Sequence, residues 1–201
     1  MENNNIVKIA GTVASDFEFS HDMFGEKFFN VLVDVERFSD AIDRIVVCVS
    51  ERLVDLNENC IGEKVVISGQ FRSYNKRDGE RTHLMLSVFA KEWELAEKLR
   101  DESDIWIDGF ICKKPIYRTT PLGREISDVL LAVNRPYGKS DYIPCIVWGR
   151  NAKFAETLHL GTKVKVTGRI QSRDYVKLIE GNLENKTAYE VSISKLEVVN
   201  E

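Results

Sequence analysis

Gly62-Glu-Lys-Val-Val-Ile-Ser-Gly69 returns later in the chain as Gly161-Thr-Lys-Val-Lys-Val-Thr-Gly168. The rest of the sequence keeps the same spacing of about 98 residues. Gly11-Thr-Val answers to Gly109-Phe-Ile, and Phe24-Gly25 answers to Leu122-Gly123. Val31-Leu-Val-Asp-Val-Glu-Arg37 matches Val129-Leu-Leu-Ala-Val-Asn-Arg135, and Asp43-Arg-Ile-Val-Val-Cys-Val49 matches Asp141-Tyr-Ile-Pro-Cys-Ile-Val147. A repeat this long indicates duplicated domains, whereas a solenoid repeats every 20 to 50 residues or so.

Each copy reads as β-β-β-α-β-β. In the second, Val- and Ile-rich alternating runs predict strands at about 105–113, 125–135, 142–149, 163–173 and 187–198. Between the third and fourth, Asn151-Ala-Lys-Phe-Ala-Glu-Thr-Leu-His-Leu160 has helical spacing, with Asn151 as N-cap and Gly161 as stop. The first copy offers Ser50 to Cys60 for the same helix, capped by Ser50 and closed near Gly62. Five strands with one helix between the third and fourth is the OB-fold arrangement. The expected fold is therefore all-β with one short helix per domain: two tandem OB-fold five-stranded Greek-key barrels. The domains are expected at 1–100 and 101–201, joined by the acidic stretch 95–104.

The chain has 201 residues, 43% hydrophobic and 30% charged, which is too apolar for disorder and enough for two cores. Residues 1–6 lack the pattern of a signal peptide, and no apolar run approaches the ~20 residues of a membrane span. A cytoplasmic protein without membrane contact is expected. The cysteines Cys48, Cys60, Cys112 and Cys145 and the histidines His21, His83 and His159 are scattered, so free buried thiols and no metal site are expected. No P-loop, nucleophile elbow or carboxylate cluster is present, and an enzyme or a cofactor is not expected.

Charge divides the copies. Residues 1–100 hold 13 Lys and Arg against 18 Asp and Glu, a net of −5, and Asp101-Glu-Ser-Asp104 adds −3. Residues 105–201 hold 15 against 11, a net of +4. That asymmetry suits a chain of which one half meets a polyanion.

OB barrels hold single strands with a basic groove and aromatic faces on which bases stack. On the third strand of the second copy, alternation puts Tyr142, Pro144, Ile146 and Trp148 on one face and Ile143, Cys145 and Val147 on the other. The second set suits the interior, which leaves Tyr142 and Trp148 outside, with Arg150 on their face. Arg169, Arg173 and Tyr175 alternate in one sense where the fourth strand meets its loop. Tyr137 lies in a turn between Arg135 and Lys139, and the first hairpin carries Lys113, Lys114, Tyr117 and Arg118. Asp141 and Asp174 read as surface charges.

The second copy resembles the bacterial single-stranded-DNA-binding protein family. The resemblance rests on Pro115-Ile-Tyr-Arg-Thr-Thr-Pro-Leu-Gly123, Leu131-Ala-Val-Asn-Arg-Pro136, Ile143-Pro-Cys-Ile-Val-Trp-Gly-Arg150, Gly168-Arg-Ile-Gln-Ser-Arg-Asp-Tyr175 and Thr187-Ala-Tyr-Glu-Val191. It implies that bases stack on Tyr137, Tyr142, Trp148 and Tyr175 and that Arg150 and Arg173 contact the strand. At the matching places the first copy has Ser39, Arg44, Ser50 and Lys76, with Phe38, Phe71 and Tyr74 nearby.

The expected function is therefore sequence-tolerant binding of single-stranded DNA by the second barrel, in replication, repair or recombination. RNA stays open as a ligand, because the contact that reads its 2′-hydroxyl is not legible here. The resemblance also implies a homodimer of four barrels. The family usually ends in a tail with an acidic, apolar tip that recruits other enzymes; this sequence closes on Val198-Val-Asn-Glu201 without one. The alternative is an accessory of the primosomal replication type, working through contacts with replication proteins.

Overall fold

The computed structural model describes residues 4–79, 81–179 and 182–199. Twelve strands and one α-helix are present among them. The first half forms β1 (Asn5–Val13), β2 (Glu18–Met23), β3 (Glu26–Glu36), β4 (Ile42–Ser50), β5 (Lys64–Asp78) and β6 (Arg81–Ala96). The second forms β7 (Glu102–Ile111), β8 (Ile116–Thr119), β9 (Glu125–Asn134), β10 (Ser140–Trp148), α1 (Arg150–Glu156), β11 (Lys163–Ile179) and β12 (Asn182–Val198).

Both halves close in one order. In the first, β1 pairs with β3, β3 with β4, β4 with β6 in parallel, β6 with β5, and β5 with β1. The second repeats this as β7, β9, β10, β12, β11 and back to β7. These are two five-stranded OB barrels. The short β2 and β8 are additional arms, hydrogen-bonded to β3 and β9 at the two ends of the twelve-stranded sheet.

Alternation explains the interiors. Val31, Val33, Ile45 and Val47 are buried in the first barrel, as are Val129, Leu131, Ile143, Cys145 and Val147 in the second, successive members two residues apart along each strand. The repeated Gly69 and Gly168 sit at register shifts of β5 and β11. A Cβ there would lie 2.2 Å from the Phe89 carbonyl oxygen and 2.1 Å from that of Ser192, so only glycine lets the strands approach.

Two helical expectations are corrected. Residues 51–62 form turns instead of a helix. The Asp55 carboxylate accepts the Asn57 N–H at 2.9 Å and the Asn59 amide oxygen accepts that of Ile61 at 3.0 Å, which is the local competition that keeps Asp and Asn out of helix interiors. In the second barrel the helix spans Arg150–Glu156 behind Gly149, whose φ of 59° makes it, not Asn151, the N-terminal boundary. The fourth and fifth strands also run further than expected, as the long hairpins β5–β6 and β11–β12.

The barrels join edge to edge. Asn5 to Ala10 of β1 pair antiparallel with Ile107 to Glu102 of β7. Each barrel then clasps the other's hairpin. Asp43, 1% exposed, pairs with Arg37 and accepts the Ser172 N–H of the second barrel at 2.7 Å. Asp141, also 1% exposed, pairs with Arg135 at 2.6 Å and accepts the Ser73 N–H of the first at 2.7 Å. Arg37 and Arg135 complete the grip by donating to the Ser172 and Ser73 carbonyls. Asp141 is thus a buried seam residue and not the surface charge expected. Asp174 is exposed, as expected, and accepts the Thr187 hydroxyl at 2.7 Å.

Candidate nucleic-acid interface

The outer face of the second barrel is built on β9 and β10. Ile143, Cys145 and Val147 point inward, which turns Tyr142 out to 45% exposure. Ile146, on the same parity as Tyr142, is nevertheless buried. Tyr137 stands in the 3-10 turn Pro136–Gly138 with a left-handed φ of 65°, wholly exposed. A bulky residue held in that region is uncommon and marks a turn under constraint.

Trp148 ends β10 and is partly buried. Its indole N–H donates to the Ser192 hydroxyl on β12 at 3.0 Å, and the ring borders an open cleft with Thr119, Arg124 and Gly149. The ring is therefore oriented while still reachable. Gly149 breaks the strand, so Arg150 opens the helix and does not continue the outward face of β10. Tyr175 lies on the β11–β12 hairpin opposite Lys186 and is 39% exposed.

Among the described residues no two of these four rings pack together; the ring contacts all lie in the first barrel. They stand apart instead. Tyr137 and Tyr142 begin near the seam, where the Tyr142 N–H donates to the Ser73 hydroxyl at 2.7 Å. Trp148 stands at the far end of β10, and Tyr175 on the hairpin.

The cations separate into two groups. Arg150, Arg173, Lys113 and Lys114 are exposed and have no ion-pair partner among the described residues. The other three are otherwise engaged. Arg118 forks onto Asp128 at 2.6 and 3.1 Å, an ion pair that offsets its charge. Arg135 belongs to the seam clasp, with its Nε buried and unpaired. Arg169 lies on the opposite barrel's side, in a cleft with Arg37, Phe38 and Arg100, where burial, then the charge of Arg37, lowers its pKa. Alternation along one strand foretold none of these engagements, because each partner lies off that strand: Asp128 and Asp141 across neighbouring hairpins, and Arg37 in the other barrel.

Two further features escaped the sequence reading. Arg124, which ends the basic hairpin 113–124 but was not among the expected contacts, is exposed and beside Trp148. Tyr189 leaves its own barrel to line a groove of about 280 Å³ on the first, with Leu32, Val46, Tyr74 and Met85. That groove joins residues more than 100 apart in sequence, and local patterns do not reach so far.

The first barrel presents a different outer surface. Arg44, at the place of Tyr142, is tied to Asp34 at 2.7 and 2.8 Å. Ser50, at the place of Trp148, hydrogen-bonds to Glu26. Phe71 is fully buried core, while Phe38 is 90% exposed and lies under the Arg100 guanidinium at 4.4 Å. Among the described residues no group of three His, Cys, Asp or Glu is placed to hold a metal, and no helix is long and apolar enough to cross a membrane.

Residues 103–199 match the single-strand binding protein family. Single-stranded DNA-binding protein 3 of Listeria innocua is 37% identical over 92 residues, covering 42% of this chain and 54% of that protein. The single-stranded DNA-binding protein of Oceanobacillus iheyensis is 35% identical over 88 residues, 40% of this chain and 52% of that one. The chain thus spans about half the length of the curated relatives it matches. The wild-type single-stranded DNA binding protein of Thermus aquaticus shares the fold across both barrels: TM-score 0.78, 19% identity, 98% of this chain and 93% of that one.

Proposed function

We propose that this chain, whose residues 103–199 match the single-strand binding protein family, holds single-stranded DNA without doing chemistry on it. Bases stack on Tyr137, Tyr142, Trp148 and Tyr175, and Arg150, Arg173, Lys113 and Lys114 meet the phosphates. The observation that carries this reading is that the second half of the chain, its barrel and its long hairpin, presents four accessible aromatics and four cations without ion-pair partners among the described residues. Stacking contributes about 1–3 kcal/mol per base and depends little on sequence, since every base has a π-face. Phosphate contacts release counterions, so affinity falls as salt rises.

The first barrel serves as frame and spacer in this proposal, with the domains dividing near residue 100. We also infer a cytoplasmic homodimer of four barrels. Ile6 and Trp106 support it: they are cross-strand neighbours at the seam, each more than a third exposed on the sheet's outer face.

The test is a titration of the full chain with labelled oligo(dT), oligo(U) and duplex DNA, read by anisotropy at low and moderate salt. The expected order is oligo(dT) well ahead of duplex, with salt weakening both. Preference for oligo(U) would reassign the ligand to RNA. No binding of any single strand would overturn the proposal and leave protein contacts as the barrels' work.

A further inference from the structure

The two arms that flank the barrels are the same element in the repeat, residues 14–26 and 112–124. Their charges are opposite. The first contains Asp16, Glu18, Asp22 and Glu26 and no Lys or Arg; the second contains Lys113, Lys114, Arg118 and Arg124 and no Asp or Glu. One acid and one base are already used, Glu26 by Ser50 and Arg52 and Arg118 by Asp128. The remaining three acids and three cations are exposed and lack ion-pair partners among the described residues.

The arms carry the outermost strands. In the order of the twelve-stranded sheet β2 is first and β8 last, and each is hydrogen-bonded on one side only. An unpaired edge is a ready template for another strand unless it is blunted. Apolar side chains stand exposed beside the charges: Phe19, Met23 and Phe24 on the acidic arm, Ile116 and Leu122 on the basic one. Within one chain the two edges lie at opposite ends of the sheet, so the complementary arm must come from elsewhere.

We infer that the acidic β2 arm of one copy docks on the basic β8 arm of a second copy. The occupant is a second copy because this chain itself supplies both halves of the match, with equal numbers of free opposite charges. Such a contact is heterologous: it joins two different surfaces and leaves one of each free, so it propagates unless rotation closes it. Its affinity falls with salt, because the charges are exposed and screened over about 10 Å at 0.1 M. Lys113 and Lys114 are also phosphate contacts in the proposed function above, so a bound strand competes with the docking for them; the docking itself does not rest on that function.

Sedimentation velocity of the full chain, without nucleic acid, tests the docking. Wild type is expected to grow with concentration beyond its basal oligomer at low salt and to return to it at high salt. The acid-arm variant D16K/E18K/D22K and the basic-arm variant K113E/K114E/R124E each lose that growth, with association about tenfold weaker or more. An equal mixture of the two regains it, since every contact then again joins an acidic arm to a basic one. Circular dichroism checks that both variants fold. Absence of salt-sensitive growth in wild type, or a mixture that does not recover, would overturn the docking.

Discussion

The two barrels share a frame and differ in what they show to solvent. Asp43 and Asp141 perform the same task in each, gripping a serine of the opposite hairpin. Ser39 and Tyr137, or Ser50 and Trp148, stand at matching places and do different things. Positions that close a barrel or lock the seam have kept their chemistry across the repeat. Positions on the outer β3–β4 and β9–β10 faces have not. The difference teaches where function resides in a duplicated fold, which is on the side chains the frame does not need.

The seam offers the strongest way to break the comparison. Asp43→Ala and Asp141→Ala each take away the carboxylate that pairs with an arginine and accepts a serine N–H of the opposite hairpin. Each is expected to cost about 3 kcal/mol in chemical denaturation, and by similar amounts, because the clasps are reciprocal. A large cost at one site and none at the other would show that the barrels do not depend on each other equally. Gly69→Ala and Gly168→Ala come next. The added methyl meets a backbone oxygen in either barrel, and about 2 kcal/mol of stability should be lost by the same measurement.

Arg150→Ala and Arg173→Ala sharpen the functional side with a smaller effect. Each is expected to lower affinity for oligo(dT) by about 1 kcal/mol and to reduce the slope of log affinity against log salt by about 1. Arg118→Ala should leave that slope unchanged, since Asp128 already holds its guanidinium. An equal change for Arg118 would show that the ion pair opens to meet phosphate.

The frame was legible because it is written in local alternation: Val129, Leu131, Val133 and Ile143, Cys145, Val147 show which side faces inward without any partner being known. The first-barrel helix was misread because Asp55 and Asn59 turn their side chains onto the backbone, against a helical spacing of apolar residues. Tyr142 and Trp148 were placed outside by the same alternation, and the structure leaves both accessible. Arg135, Arg169 and Asp141 were not legible. Their environments come from Ser73, Arg37 and Phe38 in the other barrel, and no pattern along the local sequence encodes a seam.

The central claim is that the second barrel, through its aromatics, is the single-strand binding surface. The most direct measurement compares two double variants of the full chain in oligo(dT) titrations: Tyr142→Ala with Trp148→Ala, and Phe38→Ala with Tyr74→Ala. The account predicts that the first pair loses about 1–3 kcal/mol of binding per ring with the fold intact, while the second binds as wild type does. Equal losses from both pairs, or loss from Phe38 and Tyr74 alone, would contradict it and move the binding surface to the first barrel.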